Sequence, residues 1–338
     1  MHLLKTRPTN YKLQMSIFIK KSGILTTVQD LGRNGFRRFG INPNGAMDTQ
    51  AVRLINILLG NDETEAVLEM HFPAPVFEFE ENAVIALGGA NFNAKINDKP
   101  IENWRPFYVE KGNVLSFNKK NFGSRAYLAV KSGFALEKWL NSYSTNLRAE
   151  IGGFEGRPLQ KKDRIFFASK VQSPKSKVNY KVSTNLIPNY RESAAKIRVI
   201  EGAEFQMLTA LSELNFLKHK FTISPNSDRM GFRLRGEPLY LLDKIELVSS
   251  AVNFGTIQLL PDGQIIVLMA DHQTSGGYPR IANVVSADLP ILAQLNPNET
   301  VGFEIISQEE AENLLMNFEN ELNFLKFGVA KKFKCEKV

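Results

Sequence analysis

The apolar run Ile265-Ile-Val-Leu-Met269 opens abruptly into Ala270-Asp-His-Gln-Thr-Ser-Gly-Gly-Tyr-Pro279, which gathers a carboxylate, an imidazole, a carboxamide and two hydroxyls ahead of two glycines. Groups of that variety at a strand end can read donor and acceptor positions of a small ligand from a rigid base. A loop with a purely structural task seldom needs so many different hydrogen-bonding groups at once. Asp271, Gln273, Thr274, Gly276, Gly277 and Tyr278 are therefore candidate site residues, joined by Gln258 on the preceding apolar run. His272 reads as a polar loop residue, with acid–base work as the alternative.

Three other segments mix polar residues with glycines. Thr26-Thr-Val-Gln-Asp-Leu-Gly-Arg-Asn-Gly35, followed by Asn44-Gly-Ala-Met-Asp48, supplies Gln29, Asp30, Arg33 and Asp48 as candidate ligand contacts. Glycines there let the backbone approach a ligand closely, although an Asp30–Arg33 ion pair inside a turn would use the same residues. Ser224-Pro-Asn-Ser-Asp-Arg-Met-Gly-Phe-Arg233 carries Asp228, Arg229 and Arg233. Its surplus of positive charge suits a carboxylate, a phosphate or a developing oxyanion, with a surface salt bridge as the alternative. In Ile151-Gly-Gly-Phe-Glu-Gly-Arg157 the arginine is expected to brace an irregular loop.

The phosphate-binding GxxxxGK[ST] loop, GxGxxG after a strand, HExxH and GxSxG are all absent from the sequence. His2, His71, His219 and His272 lack metal-ligand spacing, so no metal site is expected. The one cysteine, Cys335, lies in a lysine-rich tail and excludes an intramolecular disulfide, which fits a reducing cytoplasm. A net charge of +7 concentrates at the margins, among Lys326, Lys331, Lys332, Lys334 and Lys337 and among Lys170, Lys175, Lys177 and Lys181. No basic patch is interleaved with aromatics as single-strand binding requires, so a nucleic-acid partner is not expected. No apolar run is long enough to span a membrane, and Lys5, Arg7, Asn10 and Lys12 interrupt any signal-peptide core.

The elements that must position these residues are mainly strands. Short apolar or alternating runs bounded by Gly, Asn, Asp and Pro recur at 84–87, 114–117, 126–130, 197–200, 221–224 and 265–269. Helices are few. Asp48 caps the apolar face of Ala51, Val52, Leu54, Ile55, Leu58 and Leu59, and Gly60 ends it. Ser307 with Glu310 forms a capping box ahead of Ala311, Leu314, Leu315, Phe318 and Leu322. Further helices are expected over 287–295 and 203–214. At 338 residues the length favours two domains. The expected division is an extension at 1–14 with Met15 as the start, a first domain at 15–168, a polar linker at 169–194, a second domain at 195–325 and a basic tail at 326–338.

Together, GILTTVQDLGRNG from Gly23, the GAMD element ending at Asp48, NILLGN at Asn56 to Asn61, Leu68-Glu69, RAYLAV at Arg125 to Val130, GGFEGR, SDRMGFRL and GTIQLLPDGQIIVLMADHQTSGGYPRIA resemble the biotin-dependent carboxyltransferase family. That family includes the C subunit of bacterial 5-oxoprolinase, the KipA proteins and the carboxyltransferase region of urea amidolyase. The resemblance runs from about Gly23 to Ala311 and implies a mainly β fold of two cyclophilin-like β-barrel halves with few helices. It implies the C subunit of an ATP-dependent 5-oxoprolinase that opens 5-oxo-L-proline to L-glutamate, with ATP used by the complex. The implied partners are the other two chains of 5-oxoprolinase, its KipI-like B and LamB/YcsF-like A subunits. Alternatives within the family are a KipA-like protein that counters a kinase inhibitor by binding it, and a biotin-dependent urea carboxyltransferase component. The sequence has no Ala-Met-Lys-Met biotin-carrier element, so no covalent biotin is expected on this chain. Ser249-Ser250, Lys162 and Asn44 depart from residues frequent in the family and bear on substrate choice.

A lactam, urea and the ureido ring of biotin all pair a carbonyl acceptor with an N–H donor. The resemblance therefore points to a site that reads this amide edge. Asp271 is expected to accept from the N–H while Gln258 or Gln273 donates to the carbonyl, and Arg229 or Arg33 stabilises charge on the carbonyl oxygen.

Overall fold

The computed structural model describes residues 15–170, 180–191, 196–243 and 245–335. The extension at 1–14, Lys175 and Lys177 of the linker, and Lys337 lie outside them. Mainly β architecture with four α-helices among the described residues follows from the alternating runs.

In the first half a six-stranded sheet packs on a five-stranded one. The five-stranded sheet orders Thr26–Gln29, Val67–His71, Phe122–Val130, Ala83–Asn91 and Pro106–Val109, all antiparallel neighbours. Side chains alternate faces along a strand. Leu68, Met70, Ile85, Leu87 and Leu128 accordingly point at Ile17, Ile19, Phe77, Phe79 and Leu115 of the six-stranded sheet and form one core. Burying each such side chain contributes roughly 1.5–3 kcal/mol.

The opposite face of the five-stranded sheet receives helix α1 (Thr49–Leu59), as the cap and stop residues predict. The Ala51 amide donates to the Asp48 carboxylate at 2.9 Å, and Gly60 closes the helix in the left-handed region at φ 69°. Close approach of α1 depends on Gly88, where a Cβ would stand 2.6 Å from Ile55 and 2.8 Å from Trp104. Residues 180–191, within the stretch read as a linker, are packed against this same layer. The Tyr180 hydroxyl donates to the Leu58 carbonyl at 2.8 Å, the Val182 amide to the Trp104 carbonyl at 2.9 Å, and Tyr190 stacks on Trp104.

The second half is a closed barrel of Lys196–Glu201, Arg280–Val284, Thr256–Leu259, Ile265–Leu268, Gly231–Arg235, Phe221–Ile223 and Thr300–Ile305. Closure leaves no unpaired sheet edge. Its core includes Ile197, Val199, Phe221, Ile257, Val267 and Phe303, and Met47 of the first half inserts into it. The helix expected over 203–214 begins later. A 3-10 turn at Phe205–Met207 precedes α2 (Ala210–Lys218), because the Thr209 hydroxyl caps the Ser212 amide at 3.2 Å and fixes the start. The helix expected over 287–295 is the short α3 (Leu289–Ala293).

The capping box forms as read: Ser307 and Glu310 bond reciprocally, and α4 (Gln308–Cys335) follows. The helix continues to Cys335, so residues 326–335 of the segment read as a basic tail are helical. It returns to the first half, where Arg53 of α1 pairs with Glu319 and Glu63, and Lys326 pairs with Glu63 at 3.1 Å. The two halves are thus joined by Met47 in the barrel and by α4 on α1.

Candidate functional site

Register and alternation build a polar face where the halves meet. On Val67–His71 the residues facing away from the sheet core are Val67, Glu69 and His71. On the adjacent strand Arg125 is the cross-strand partner of His71, and Tyr127 of Glu69. Directly paired residues on one face are close enough to interact, and Tyr127 donates to Glu69 Oε2 at 2.9 Å.

From the barrel, the Ser224–Arg233 segment brings Arg229 to this face and the Met269–Pro279 segment brings Asp271. Arg229 donates from Nε to Asp271 Oδ2 at 2.9 Å and from Nη2 to Asp271 Oδ1 at 3.0 Å. Its Nη1 pairs with Glu69 Oε1, and Nη2 also donates to the Gly45 carbonyl at 2.5 Å. The fork-on-carboxylate geometry is the strongest and most directional form of charge pairing. Asn44 donates to Asp271 Oδ1 at 2.7 Å, Asn42 to the Asp271 carbonyl at 3.1 Å, and the Met47 amide to Glu69 Oε2 at 2.9 Å. Each half therefore supplies part of one network. Burial works to neutralise Glu69, but the Arg229 and Arg125 guanidinium groups outweigh it and hold the carboxyl below its usual value. Burial likewise disfavours the Arg229 charge, and Asp271 and Glu69 more than reverse that.

A cleft of about 840 Å³ opens over this network, a size in the range of small-molecule sites. Asp271, Arg229, Gln273 and Thr274 line it from the barrel, and His71 and Arg125 from the sheet. Asp228 also borders it, with its carboxylate accepting from the Met230 and Gly231 amides at 2.8 and 3.2 Å and so shaping the turn that presents Arg229. Burial, then the neighbouring Arg125 charge, push the His71 imidazole down to about 3, so it is neutral at physiological pH. Among the described residues His71 Nε2 and Arg125 Nε have no hydrogen-bond partner.

The remaining sequence candidates lie elsewhere. Gln29 is fully buried in the first half, with Nε2 3.1 Å from Thr27 Oγ1. Asp30 ties down the segment after Trp139: it accepts from the Ser142 hydroxyl at 2.7 Å and the Tyr143 amide at 2.6 Å. Arg33 makes no hydrogen bond to Asp30; it stacks on Trp139 at 4.9 Å and donates to Asn44 Oδ1 and the Ser144 carbonyl. Through Asn44 it stands one residue behind Asp271. Gln258 is buried on the outer face of the barrel wall, beneath the Gly276–Tyr278 segment, and donates to the Tyr278 carbonyl at 3.2 Å. Gly276 lies against Gln258, and Gly277 and Tyr278 continue from the small sheet of Ser250–Ala251 and Ser275–Gly276, apart from the residues that line the cleft. Arg157 braces its own loop, pairing with Asp163 at 2.7 Å and Glu155 at 2.9 Å. Glu69, His71 and Arg125, which the sequence reading did not single out as site residues, face the cleft or its floor. The signal that marks them is the strict alternation in Leu68-Glu-Met-His71 and Arg125-Ala-Tyr-Leu128, which puts ionisable groups on a face that a second layer covers.

Asp48 is fully buried behind the site, where it accepts from Gln294 Nε2 at 2.9 Å as well as capping α1. Burial pushes its carboxyl up to about 6, against these hydrogen bonds. The folded value lies above the unfolded one, so the contribution of this group to stability is full below about pH 4 and is lost as pH rises through 6. Asn caps helices as well as Asp does. Urea unfolding at pH 4 to 7 should therefore show Asp48→Asn gaining on the wild type as pH rises, by an amount on the order of 3 kcal/mol. A difference that stays flat across that window would refute the assignment.

The family model described as "Carboxyltransferase domain, subdomain A and B" matches residues 39–305. The C subunit of 5-oxoprolinase from Haemophilus influenzae is 40% identical over 288 residues, covering 85% of this chain and 90% of that protein. The C subunit of 5-oxoprolinase from Escherichia coli strain K12 is 37% identical over 294 residues, covering 87% and 92%. Among solved structures, the Kluyveromyces lactis urea carboxylase superposes with a TM-score of 0.87 at 26% identity, over 95% of this chain but 30% of that one.

Proposed function

This chain belongs to the carboxyltransferase domain family, subdomains A and B, and from that membership we propose that it is the C subunit of a 5-oxoprolinase. The relatives of that name match along nine-tenths of their length at 40% and 37% identity, whereas the urea carboxylase contains the match as a segment of a longer chain. In this reading the chain acts in the cytoplasm with the A and B subunits, and the complex uses ATP to open 5-oxo-L-proline to L-glutamate.

The observation that carries the chemistry is the Asp271–Arg229–Glu69 network on the floor of the cleft. Asp271 accepts from Arg229 and Asn44 yet keeps acceptor capacity, since a carboxylate offers about four lone-pair positions and its side chain is 15% exposed. It faces the lactam N–H. Gln273, on the cleft wall, donates to the lactam carbonyl; it takes this part rather than Gln258, whose amide donates to the Tyr278 carbonyl away from the cleft lining. Arg229 has spent all but one of its N–H donors on protein partners. The remaining one, held rigid by its neighbours, stabilises negative charge on the carbonyl oxygen as that oxygen is phosphorylated or its carbon is attacked. Such a preorganised donor acts strongly where water is excluded.

The purified complex, given 5-oxo-L-proline and ATP, should release glutamate only when this chain is present, as read by amino-acid analysis. Release at an unchanged rate from the A and B subunits alone would sink the proposal.

A further inference from the structure

Arg125 is 5% exposed, and the one hydrogen bond its side chain makes among the described residues runs from Nη1 to the Ala293 carbonyl. No acidic side chain among the described residues forms an ion pair with it. Of the carboxylates that act on it, Glu69 is taken by Arg229, and Asp48 by the Ala51 amide and Gln294. A buried guanidinium with unmade hydrogen bonds costs the protein free energy, and such groups are rare enough in native structures to need a reason. The Arg125 guanidinium packs 5.6 Å from the Phe232 ring centre, which fixes the plane of the fork. It lines the cleft that holds Asp271 and Arg229. His71, its cross-strand partner, adds a neutral imidazole to the cleft lining, with its unpartnered Nε2 turned inward like Arg125 Nε. Arg148, exposed on the rim of the same cleft, makes one guanidinium hydrogen bond among the described residues, to Met230 sulfur at 3.7 Å.

We propose that Arg125 and His71 form a carboxylate subsite in this cleft, so that the chain takes an amide that bears its own carboxylate group. The inference rests on the 5-oxoprolinase reading and deepens it. The amide edge lies on Asp271 and Gln273, and the carboxylate receives the Nη2 N–H groups of Arg125, which make no hydrogen bond among the described residues, with Arg148 attracting the anion to the cleft mouth. A site built to pair a buried polar group rejects an analogue that lacks the matching group, because the protein side is then left unsatisfied. Urea and a plain lactam lack it.

The test uses the complex of full-length subunits and two ligands, 5-oxo-L-proline and 2-pyrrolidinone, which is the same ring without the carboxylate. Binding is measured without ATP by equilibrium dialysis, and turnover with ATP. In the wild type 5-oxo-L-proline should bind at least tenfold tighter than 2-pyrrolidinone. Arg125→Gln should weaken 5-oxo-L-proline by roughly 10- to 100-fold, the worth of a charge-assisted bond, and raise KM far more than it lowers kcat, while 2-pyrrolidinone binding changes less than twofold. Arg125→Lys keeps the charge without the fork and should fall between; it serves if the Gln variant does not fold. Equal losses for both ligands, or 5-oxo-L-proline unaffected, would overturn the subsite. If the wild-type complex binds 5-oxo-L-proline through Arg125 but releases no glutamate, the subsite stands and the assigned reaction fails.

Discussion

Arg229→Met is expected to destabilise the protein by about 3–5 kcal/mol and to stop glutamate release by the complex. Methionine fills much of the same volume, so the loss comes from charge rather than from a cavity. Glu69, 1% exposed in its side chain, would be left as a buried carboxylate whose nearest compensation is the more distant Arg125, and Asp271 would lose both bonds of its fork. Breaking one partner out of a buried ion pair leaves an uncompensated charge, which accounts for the size of the effect. The linkage between the halves also weakens, because Arg229 joins Gly45 and Glu69 of the first half to Asp271 of the second. A companion variant separates stability from chemistry. Arg229→Met combined with Glu69→Gln and Asp271→Asn removes all three charges, so most of the stability should return while activity stays absent. Urea unfolding of the two variants gives the measurement. A single variant within about 1 kcal/mol of wild type would show that the network is not carrying the interface.

The parts of this arrangement that the sequence exposes are those governed by local rules. Asp48 with Gly60 and Ser307 with Glu310 each satisfy orphan amides or carbonyls at helix ends, a requirement that depends only on neighbours within a turn. The observed α1 and α4 start where those residues place them. The loop after Met269 and the Asp-Arg pair at Asp228 and Arg229 are legible as chemistry for the same reason: polar groups crowded at a strand end have few structural uses. Helix 203–214 misleads because Thr209 is as good a cap as any residue before it, and the hydrogen bond to Ser212 decides the matter only once the chain is folded. Glu69, His71 and Arg125 escape because alternation reports that a side chain leaves the core face, and by itself this means solvent. Only the docking of a barrel 100 and more residues later converts that polar face into a buried one. Arg33 illustrates the reverse error. Its nearness in sequence to Asp30 suggests a pair, yet Asp30 is occupied by Ser142 and Tyr143, and Arg33 reaches past it to Asn44 and Ser144.

Asp271→Asn should cost the complex on the order of 100-fold or more in kcat for glutamate release, with a much smaller effect on folding. The two oxygens of Asp271 accept Nε–H and Nη2–H from Arg229, and Oδ1 also accepts from Asn44. A carboxamide offers one acceptor and one donor group. Whichever way it is flipped, its NH2 meets an Arg229 N–H, so one bond is lost and the guanidinium shifts from its fixed position. Arg229 keeps Glu69 and the Gly45 carbonyl, which confines the stability cost to about 1–3 kcal/mol. The chemical cost is larger for two reasons: the amide N–H of the substrate loses a charged acceptor, and the donor aimed at the carbonyl oxygen loses its alignment. Removing one such preorganised contact is worth about 3 kcal/mol of transition-state stabilisation. An effect confined to the transition state lowers kcat and kcat/KM together, whereas loss of ordinary binding raises KM alone. Steady-state kinetics of the reconstituted complex therefore decide the role of Asp271: a rise in KM at constant kcat would reduce it to a binding contact, and rates within a few-fold of wild type would remove it from the chemistry.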